Sequence, residues 1–185
     1  MTSVTTVVVR AVGAVAGRML DVGGGSGAYS IAFARANAQL EADILDLPEV
    51  APIAQGHIHD AGMDERVRVR CGDLRTAWLG EGYNLVFVSA ICHMLSPEEN
   101  RDLLRRCFAA LAPGGRIVVQ DFILEPDKTS PKSAALFALN MLTGTRAGST
   151  YSEPEYTAWL NDAGFRNIRH VHTPGPASLM AAARE

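Results

Sequence analysis

A run of glycines from Asp21 to Gly27 (DVGGGSG) is the clearest ligand-binding feature of the sequence. Glycines let a backbone turn sharply and approach a ligand that a Cβ atom would keep away. The spacing from Gly23 to Ala28 also satisfies the dinucleotide-binding pattern G-x-G-x-x-G/A. The run therefore predicts a nucleotide-binding turn and leaves the identity of the nucleotide open.

Three aspartates extend this pattern, because each comes at the end of one of three successive predicted strands. Asp21 would repel a pyrophosphate, whereas it suits the ammonium and sulfonium groups of S-adenosylmethionine (SAM). Asp46 can accept hydrogen bonds from a ribose diol; a helix cap before Pro48 is the alternative, and Asp43 is a weaker competitor. Asp73 can accept from an adenine amino group or close a turn. Together they favour SAM over NAD, since ligands bind at the carboxyl ends of parallel strands.

Short apolar runs alternate with helical patterns along the chain, which predicts βαβ units, a parallel sheet and an α/β fold. The predicted strands are Arg18–Val22, Glu41–Leu45, Arg66–Cys71, Asn84–Ser89 and Arg116–Leu124. The helices predicted between them are Ser26–Asn37, Pro48–Ala61 and Ser96–Ala112. Beyond them we expect helices at Ser133–Leu142 and Ser152–Gly164, then an antiparallel pair of strands near Asn167–His172 and Ser178–Ala183.

The composition indicates one catalytic or binding domain and excludes several classes of partner. Residues 18–185 are predicted to form the domain, and residues 1–17 are an apolar lead-in, either poorly packed or a displaced core helix. A net charge of −3 argues against a nucleic-acid partner. No apolar run reaches the roughly 20 residues of a membrane span. We expect a cytoplasmic protein with a small-molecule partner.

Neither cysteines nor histidines suggest a metal site. The chain has three cysteines and no CxxC pair, so we expect all three to be buried thiols: Cys71, Cys92 and Cys107. Four histidines show no ligand-like arrangement with acids or cysteines and are expected at the surface or in loops: His57, His59, His170 and His172. The sequence therefore predicts no metal.

Six short segments carry a family resemblance. They are LDVGGGSG (Leu20–Gly27), LDLPEV (Leu45–Val50), GDL (Gly72–Leu74), ICH (Ile91–His93), LAPGGRIVVQDFIL (Leu111–Leu124) and AGF (Ala163–Phe165). On these segments the chain resembles small-molecule O-methyltransferases of the caffeate and hydroxyindole O-methyltransferase type, including bacterial polyketide-tailoring members. The resemblance implies a Rossmann-like, doubly wound sheet of seven mostly parallel strands with an antiparallel last strand. It also implies SAM as cofactor, S-adenosylhomocysteine as product and methyl transfer to a hydroxyl of an aromatic or polyketide-like small molecule.

The same resemblance gives individual residues their expected roles. Cofactor contacts are expected at Gly23, Gly25, Gly27, Asp46, Leu47, Asp73, Leu74 and Ser89. His93 is expected to be the general base and Asp121 the acid that orients it. The chemistry agrees, because a phenol with a pKa of about 10 is protonated at neutral pH and needs a base to become more nucleophilic. A histidine that takes this proton increases the reaction rate by roughly 10²–10⁴-fold.

The sequence departs from the family in three places. Met94-Leu95 follows His93 where the family commonly has Asp-Trp. The segment Gly148–Tyr151 lacks the second glutamate of the plant enzymes, so base catalysis is predicted to rest on His93 and Asp121 alone or to be unimportant. The glycine run begins at residue 23, without room for the family's N-terminal helical dimerisation domain. We therefore expect one of three cases: the chain is a truncated product or a domain, a homodimer or another partner supplies this cover, or the pocket is open.

Acceptor contacts are predicted at Met94, Asn140 and Met141, with Phe137 behind them. Three alternatives stay open beside O-methylation. A SAM-binding relative with other chemistry would methylate nitrogen or carbon, decarboxylate or hydroxylate. An NAD-binding module is opposed by Asp21, and a catalytically weak remnant would bind cofactor without turnover.

Overall fold

A seven-stranded sheet lies between two layers of helices in the computed structural model, which describes residues 4–185. The strands are β1 (Gly17–Val22), β2 (Leu40–Asp46), β3 (Val67–Cys71), β4 (Tyr83–Ser89), β5 (Leu111–Asp121), β6 (Arg166–His172) and β7 (Ser178–Ala183). The helices are α1 (Val4–Val12), α2 (Ala28–Ala36), α3 (Ala51–Asp60), α4 (Pro97–Ala110), α5 (Lys132–Gly144) and α6 (Glu153–Ala163). A short 3₁₀ turn, Cys92–Met94, follows β4.

The strand order β3-β2-β1-β4-β5-β7-β6 confirms the predicted doubly wound sheet. Strands β1 to β5 pair in parallel, and β7 pairs antiparallel with both β5 and β6. The chain builds outward from β1 to β3 and then crosses over to β4 on the other side of β1. This crossing is the topological switch point, where open α/β sheets bind their ligands. None of the helices in residues 4–185 is long and apolar enough to cross a membrane.

Helices α4 and α6, which cover one face of the sheet, each begin with a capping box. In α4, Ser96 Oγ accepts from the Glu99 amide at 3.2 Å, and Glu99 Oε2 accepts from the Ser96 amide at 2.7 Å. Ser152 and Glu155 form the same box at the start of α6. Because both helix starts are fixed, their apolar sides pack on β1, β4 and β5 in one core.

Helix α1 packs on the opposite face, together with α2 and α3. Val8, Val9 and Val12 are buried there against Ile31 of α2 and strand residues. For residues 4–12, the expectation of a displaced core helix is therefore confirmed, and that of a poorly packed lead-in is wrong. Residues 1–3 of the lead-in lie outside the described residues.

Several predicted boundaries shift, and one burial prediction fails. Helix α3 begins at Ala51 and not at Pro48, because β2 continues through Asp46 before the chain turns. Strand β5 begins at Leu111 and not at Arg116. Cys71 is exposed, since it ends β3 at the rim of the sheet, so its predicted burial is wrong; the other two cysteines are buried as predicted.

Candidate active site

A cavity of about 480 Å³ lies at the carboxyl ends of β1 to β4. Its volume falls within the roughly 300–1,000 Å³ of small-molecule sites. Seven of the predicted cofactor residues line it: Gly23, Gly25, Asp46, Leu47, Asp73, Leu74 and Ser89. The remaining wall comes from eight residues for which the sequence predicted no cofactor contact: Leu45, Val50, Gly72, Arg75, Ala90, Ile91, Met94 and Leu95. The structure therefore places most of the predicted contacts around one space.

The glycine turn presents bare backbone to this cavity. Gly23 and Gly25 have φ angles of +68° and +56°, which favour glycine, and the Gly23 amide donates to the Leu45 carbonyl at 2.7 Å. A Cβ atom on Gly23 would collide with the side chain of Ile91, whereas nothing lies within 4 Å of the Cβ position on Gly25. A ligand can therefore approach the backbone at Gly25. Gly27 does not line the cavity; it caps α2.

Asp46, the last residue of β2, holds the glycine turn in place. Its Oδ2 accepts from the Gly25 amide at 2.7 Å, and its Oδ1 accepts from the Leu47 amide at 2.7 Å. Each oxygen retains a lone pair, so the carboxylate can still accept from a ribose diol. Asp46 is not a helix cap, because α3 starts later without a side-chain cap. Asp43 is no competitor, since it pairs with Arg18 and Tyr83 and does not line the cavity.

Asp73 closes a turn and also lines the cavity, so its role in the turn does not rule out the predicted contact with an adenine amino group. Its Oδ1 accepts from the Arg75 amide at 2.8 Å, which closes a turn after β3. It also lines the cavity beside Leu74. Its remaining acceptor sites are available for an amino group, and the apolar Leu74 offers a flat-ring ligand a surface to pack on. Arg75 is kept near this wall by an ion pair with Glu99 at 3.3 Å.

Asp21 lies beneath the glycine turn, which corrects the expectation that its carboxylate faces the crevice. The residue is 1% exposed and is not part of the cavity wall. Ser30 Oγ donates to its Oδ2 at 2.8 Å, and Oδ1 has no hydrogen-bond partner among the described residues. A Cβ atom on Gly24 would lie 2.7 Å from this carboxyl carbon. Asp21 therefore supports the glycine turn from below and does not face the cavity.

The burial of Asp21 predicts an unusual pH dependence of stability. Burial raises the pKa of Asp21 to about 7; the Ser30 hydrogen bond opposes this rise and the charge of Asp46 adds to it. The folded protein therefore holds a proton that the unfolded chain has already released between about pH 4 and about pH 7. The contribution of this bound proton to the free energy of unfolding is complete below about pH 4 and is lost as the pH rises through about 7.

The variant Asp21→Asn measures this contribution, because asparagine can still accept from Ser30 but cannot ionise. Between pH 5 and pH 8, we expect the free energy of unfolding of the wild type to fall by about 3 kcal/mol more than that of the variant. Urea unfolding of both proteins at both pH values gives the difference. Parallel pH profiles would show that the carboxyl group titrates in its ordinary range.

His93 and Asp121 form a buried pair at the ends of adjacent strands. His93 lies in the 3₁₀ turn after β4, and Asp121 ends β5. The distance between His93 Nδ1 and Asp121 Oδ1 is 2.6 Å, and the side chains are 9% and 0% exposed. Because a carboxylate accepts, Nδ1 carries the proton and Nε2 is left as the basic nitrogen. The structure thus brings together the two residues that the resemblance paired.

Backbone contacts fix the position of the His93 turn. Asp121 Oδ2 accepts from the His93 amide at 3.1 Å, and Asp121 Oδ1 also accepts from the Phe122 amide at 2.8 Å. From the other side, the Ser149 amide donates to the His93 carbonyl at 3.0 Å. A Cβ atom on Gly148 would collide with that carbonyl. Glycine at position 148 therefore lets the loop close on the turn, a role whose only sequence signal was the small-residue composition of the loop.

Aromatic rings enclose the imidazole. The ring of Phe137 meets His93 edge to face, with 4.9 Å between ring centroids, and stacks on Phe122 at 4.1 Å. Among the predicted acceptor contacts, Met94 lines the cavity next to His93. Asn140 is exposed on α5, Met141 is half-buried, and neither lines the cavity. Phe122, for which the sequence predicted no role, meets His93 edge to face with ring centroids 6.2 Å apart.

Comparison with known proteins connects this site to a family. A model of the O-methyltransferase domain matches residues 4–166. The chain belongs to this family. The 3-hydroxy-5-methyl-1-naphthoate 3-O-methyltransferase of Streptomyces sahachiroi is 37% identical over 90% of this chain and 49% of its own length. The L-tyrosine C(3)-methyltransferase of Streptomyces lavendulae is 34% identical over 85% of this chain and 44% of its own length.

Solved structures agree with the family assignment. Human N-acetylserotonin methyltransferase, determined in complex with SAM, superimposes with a TM-score of 0.81 at 28% identity. The match covers 90% of this chain and 47% of the human one. SAM is therefore the cofactor that the family's cavity accommodates, and the alternative of an NAD-binding module is excluded. The chain spans about half the length of the relatives it matches.

Proposed function

We propose that this chain is the catalytic domain of a SAM-dependent O-methyltransferase that acts on a hydroxyl of an aromatic or polyketide-like small molecule. The observation that carries the proposal is the buried His93–Asp121 pair, whose neighbour Met94 lies in the cavity wall. A base next to a cofactor cavity is what the methylation of a weakly acidic hydroxyl requires. The name of the Streptomyces sahachiroi relative, which acts on a hydroxynaphthoate, supports this class of acceptor.

The cavity residues fit SAM through their backbone and carboxylate groups. Gly25 offers open backbone for close approach, Asp46 would accept from the ribose, and Asp73 with Leu74 would hold the adenine. When bound, SAM supplies a methyl group on a positively charged sulfur. The charge of Asp21 beneath the turn favours such a cation, and the cation in turn favours the ionised form of Asp21.

His93 moves the acceptor proton. Asp121 holds the proton on Nδ1, so Nε2 would be free to take the proton of an acceptor hydroxyl and make its oxygen more nucleophilic. The imidazolium that forms lies against the Asp121 carboxylate, which stabilises its charge. Phe122 and Phe137 pack against the imidazole, with ring centroids 6.2 Å and 4.9 Å from that of His93. The protein thereby aligns the reactants and provides the base, while the methyl donor is already activated.

Carbon methylation is a second candidate, because one relative is named for methylating C3 of tyrosine. That carbon is adjacent to the phenol hydroxyl, and loss of the hydroxyl proton raises electron density at both the oxygen and this carbon. The same His93–Asp121 pair therefore serves either reaction. Which atom lies in line with the methyl group decides the product.

Helix α5 presents an exposed apolar surface. This helix exposes three leucines, which are 65%, 59% and 74% exposed: Leu136, Leu139 and Leu142. Contiguous exposed apolar side chains mark a contact surface. We assign this surface to a second subunit or to a helical domain of the kind that the family resemblance implies, either of which would close the acceptor side of the site.

The experiment that tests the proposal incubates the protein with SAM and a hydroxynaphthoate, and follows both acceptor and S-adenosylhomocysteine. We expect one added methyl group on the hydroxyl oxygen, identified by mass spectrometry and NMR. The control acceptor is the same compound with its hydroxyl already methylated, which should stay unchanged. A ring-methylated product would favour the carbon-methylation candidate, and saturable SAM binding without any product would contradict this acceptor class.

A further inference from the structure

Two histidines and a glutamate converge at the edge of the sheet, outside the cavity. His170 and His172 are two residues apart on the edge strand β6, so their side chains lie on the same face, with ring centroids 4.3 Å apart. Glu125, in the connection after β5, joins them: one nitrogen or oxygen atom from each residue lies within 4.8 Å of the others. The expectation that these histidines have no ligand-like arrangement is therefore wrong, because Glu125 is distant from them in sequence.

The hydrogen bonds of the His170 ring resemble those of a metal-binding histidine. Its side chain is 5% exposed, and its Nδ1 lies 3.0 Å from Glu153 Oε2 at the start of α6. A carboxylate here accepts the Nδ1 proton and leaves Nε2 with a lone pair, to which Ser178 Oγ donates at 2.7 Å. Protein metal sites commonly orient a histidine ligand with such an outer carboxylate. A metal ion would take the place of the Ser178 hydroxyl proton at Nε2.

We propose that Glu125, His170 and His172 bind a divalent transition-metal ion, with Glu153 as the outer partner of His170. Two imidazoles and one carboxylate are donors that Zn²⁺, Co²⁺ and Ni²⁺ accept, whereas Mg²⁺ and Ca²⁺ prefer oxygen ligands. Ligands of a tetrahedral Zn²⁺ lie about 3.3 Å apart at bond lengths of about 2.0 Å. The donor atoms lie within 4.8 Å of one another and must therefore approach by up to about 1.5 Å, which the exposed His172 and the half-buried Glu125 can do by rotating their side chains.

The placement indicates a structural metal. Asp121 pairs with Ser178 of β7, and Ser178 pairs with His172 of β6. The cluster is therefore two strands from the catalytic pair, about 10 Å away at the usual strand spacing. It shares no residue with the cavity wall. A bound ion would join the edge strand to the connection that leads from β5 to α5, and α5 carries Phe137.

The test titrates the tag-free wild type with Co²⁺, whose visible absorption reports nitrogen and oxygen coordination, and with Zn²⁺ by calorimetry. We expect saturable binding of one ion, a rise in Tm with Zn²⁺, and loss of both in His172→Ala. Because His172 is exposed, this substitution leaves the core intact. Glu153→Gln should weaken binding by about 10–100-fold, as an outer partner does.

The matched control is His59→Ala, which removes an exposed histidine from α3. This variant should bind Co²⁺ and Zn²⁺ like the wild type. Absence of saturable binding by the wild type would overturn the proposal, and so would equal binding by His172→Ala. A circular dichroism spectrum that matches the wild type shows that each variant is folded, so loss of binding in His172→Ala reports on the site itself.

Discussion

Replacing His93 by alanine is expected to lower the rate of methyl transfer by about 10²–10⁴-fold, the usual contribution of a general base. Under the proposed function, Nε2 of His93 would take the acceptor proton, while Asp121 Oδ1 lies 2.6 Å from the other ring nitrogen. His93 does not line the cofactor cavity, so binding of S-adenosylhomocysteine should stay unchanged. Single-turnover rates with a phenolic acceptor and calorimetric titration of S-adenosylhomocysteine measure the two quantities.

Two further variants separate base catalysis from positioning. His59→Ala removes an exposed histidine and should keep the full rate. Asp121→Asn keeps an acceptor for Nδ1 but removes the charge that would stabilise the imidazolium, so the rate of methyl transfer should fall. A full rate in His93→Ala would mean that the enzyme only aligns its substrates.

Replacing Asp46 by alanine is expected to weaken S-adenosylhomocysteine binding by about 10²-fold or more. Hydrogen bonds to a charged group contribute about 1.5–3 kcal/mol each, and a ribose diol offers two donors. The substitution also frees the Gly25 amide, which Asp46 Oδ2 holds at 2.7 Å, so the glycine turn loses its anchor. Calorimetric titration of the folded variant and the wild type gives the ratio of dissociation constants.

Asp43→Ala is the matched control, because this carboxylate is on the same strand but pairs with Arg18 and Tyr83. The control should lose some stability and keep its affinity for S-adenosylhomocysteine. If the Asp46 and Asp43 variants bound equally well, the ribose would have to be held elsewhere. This outcome would leave the role of His93 untouched, since the two predictions concern different parts of the site.

The order of strands and helices was predictable from sequence because apolar periodicity and capping residues act locally. The glycine turn and the acids at the ends of β2 and β3 could be found in the same way, since a chain that alternates strand and helix must bring those ends to one edge of the sheet. Asp46 and Asp73 both line the cavity for this reason. The sequence also contained the family resemblance, which paired His93 with Asp121.

Only the tertiary structure decided how distant side chains meet. Asp21 precedes the glycines as expected, yet the turn folds over it, so its carboxylate is buried and its pKa rises to about 7. The closing of Gly148 on His93 and the meeting of Glu125 with His170 each join segments that are far apart in the chain. Periodicity fixes which face of an element is buried, but the partner on that face depends on the packing of the whole sheet.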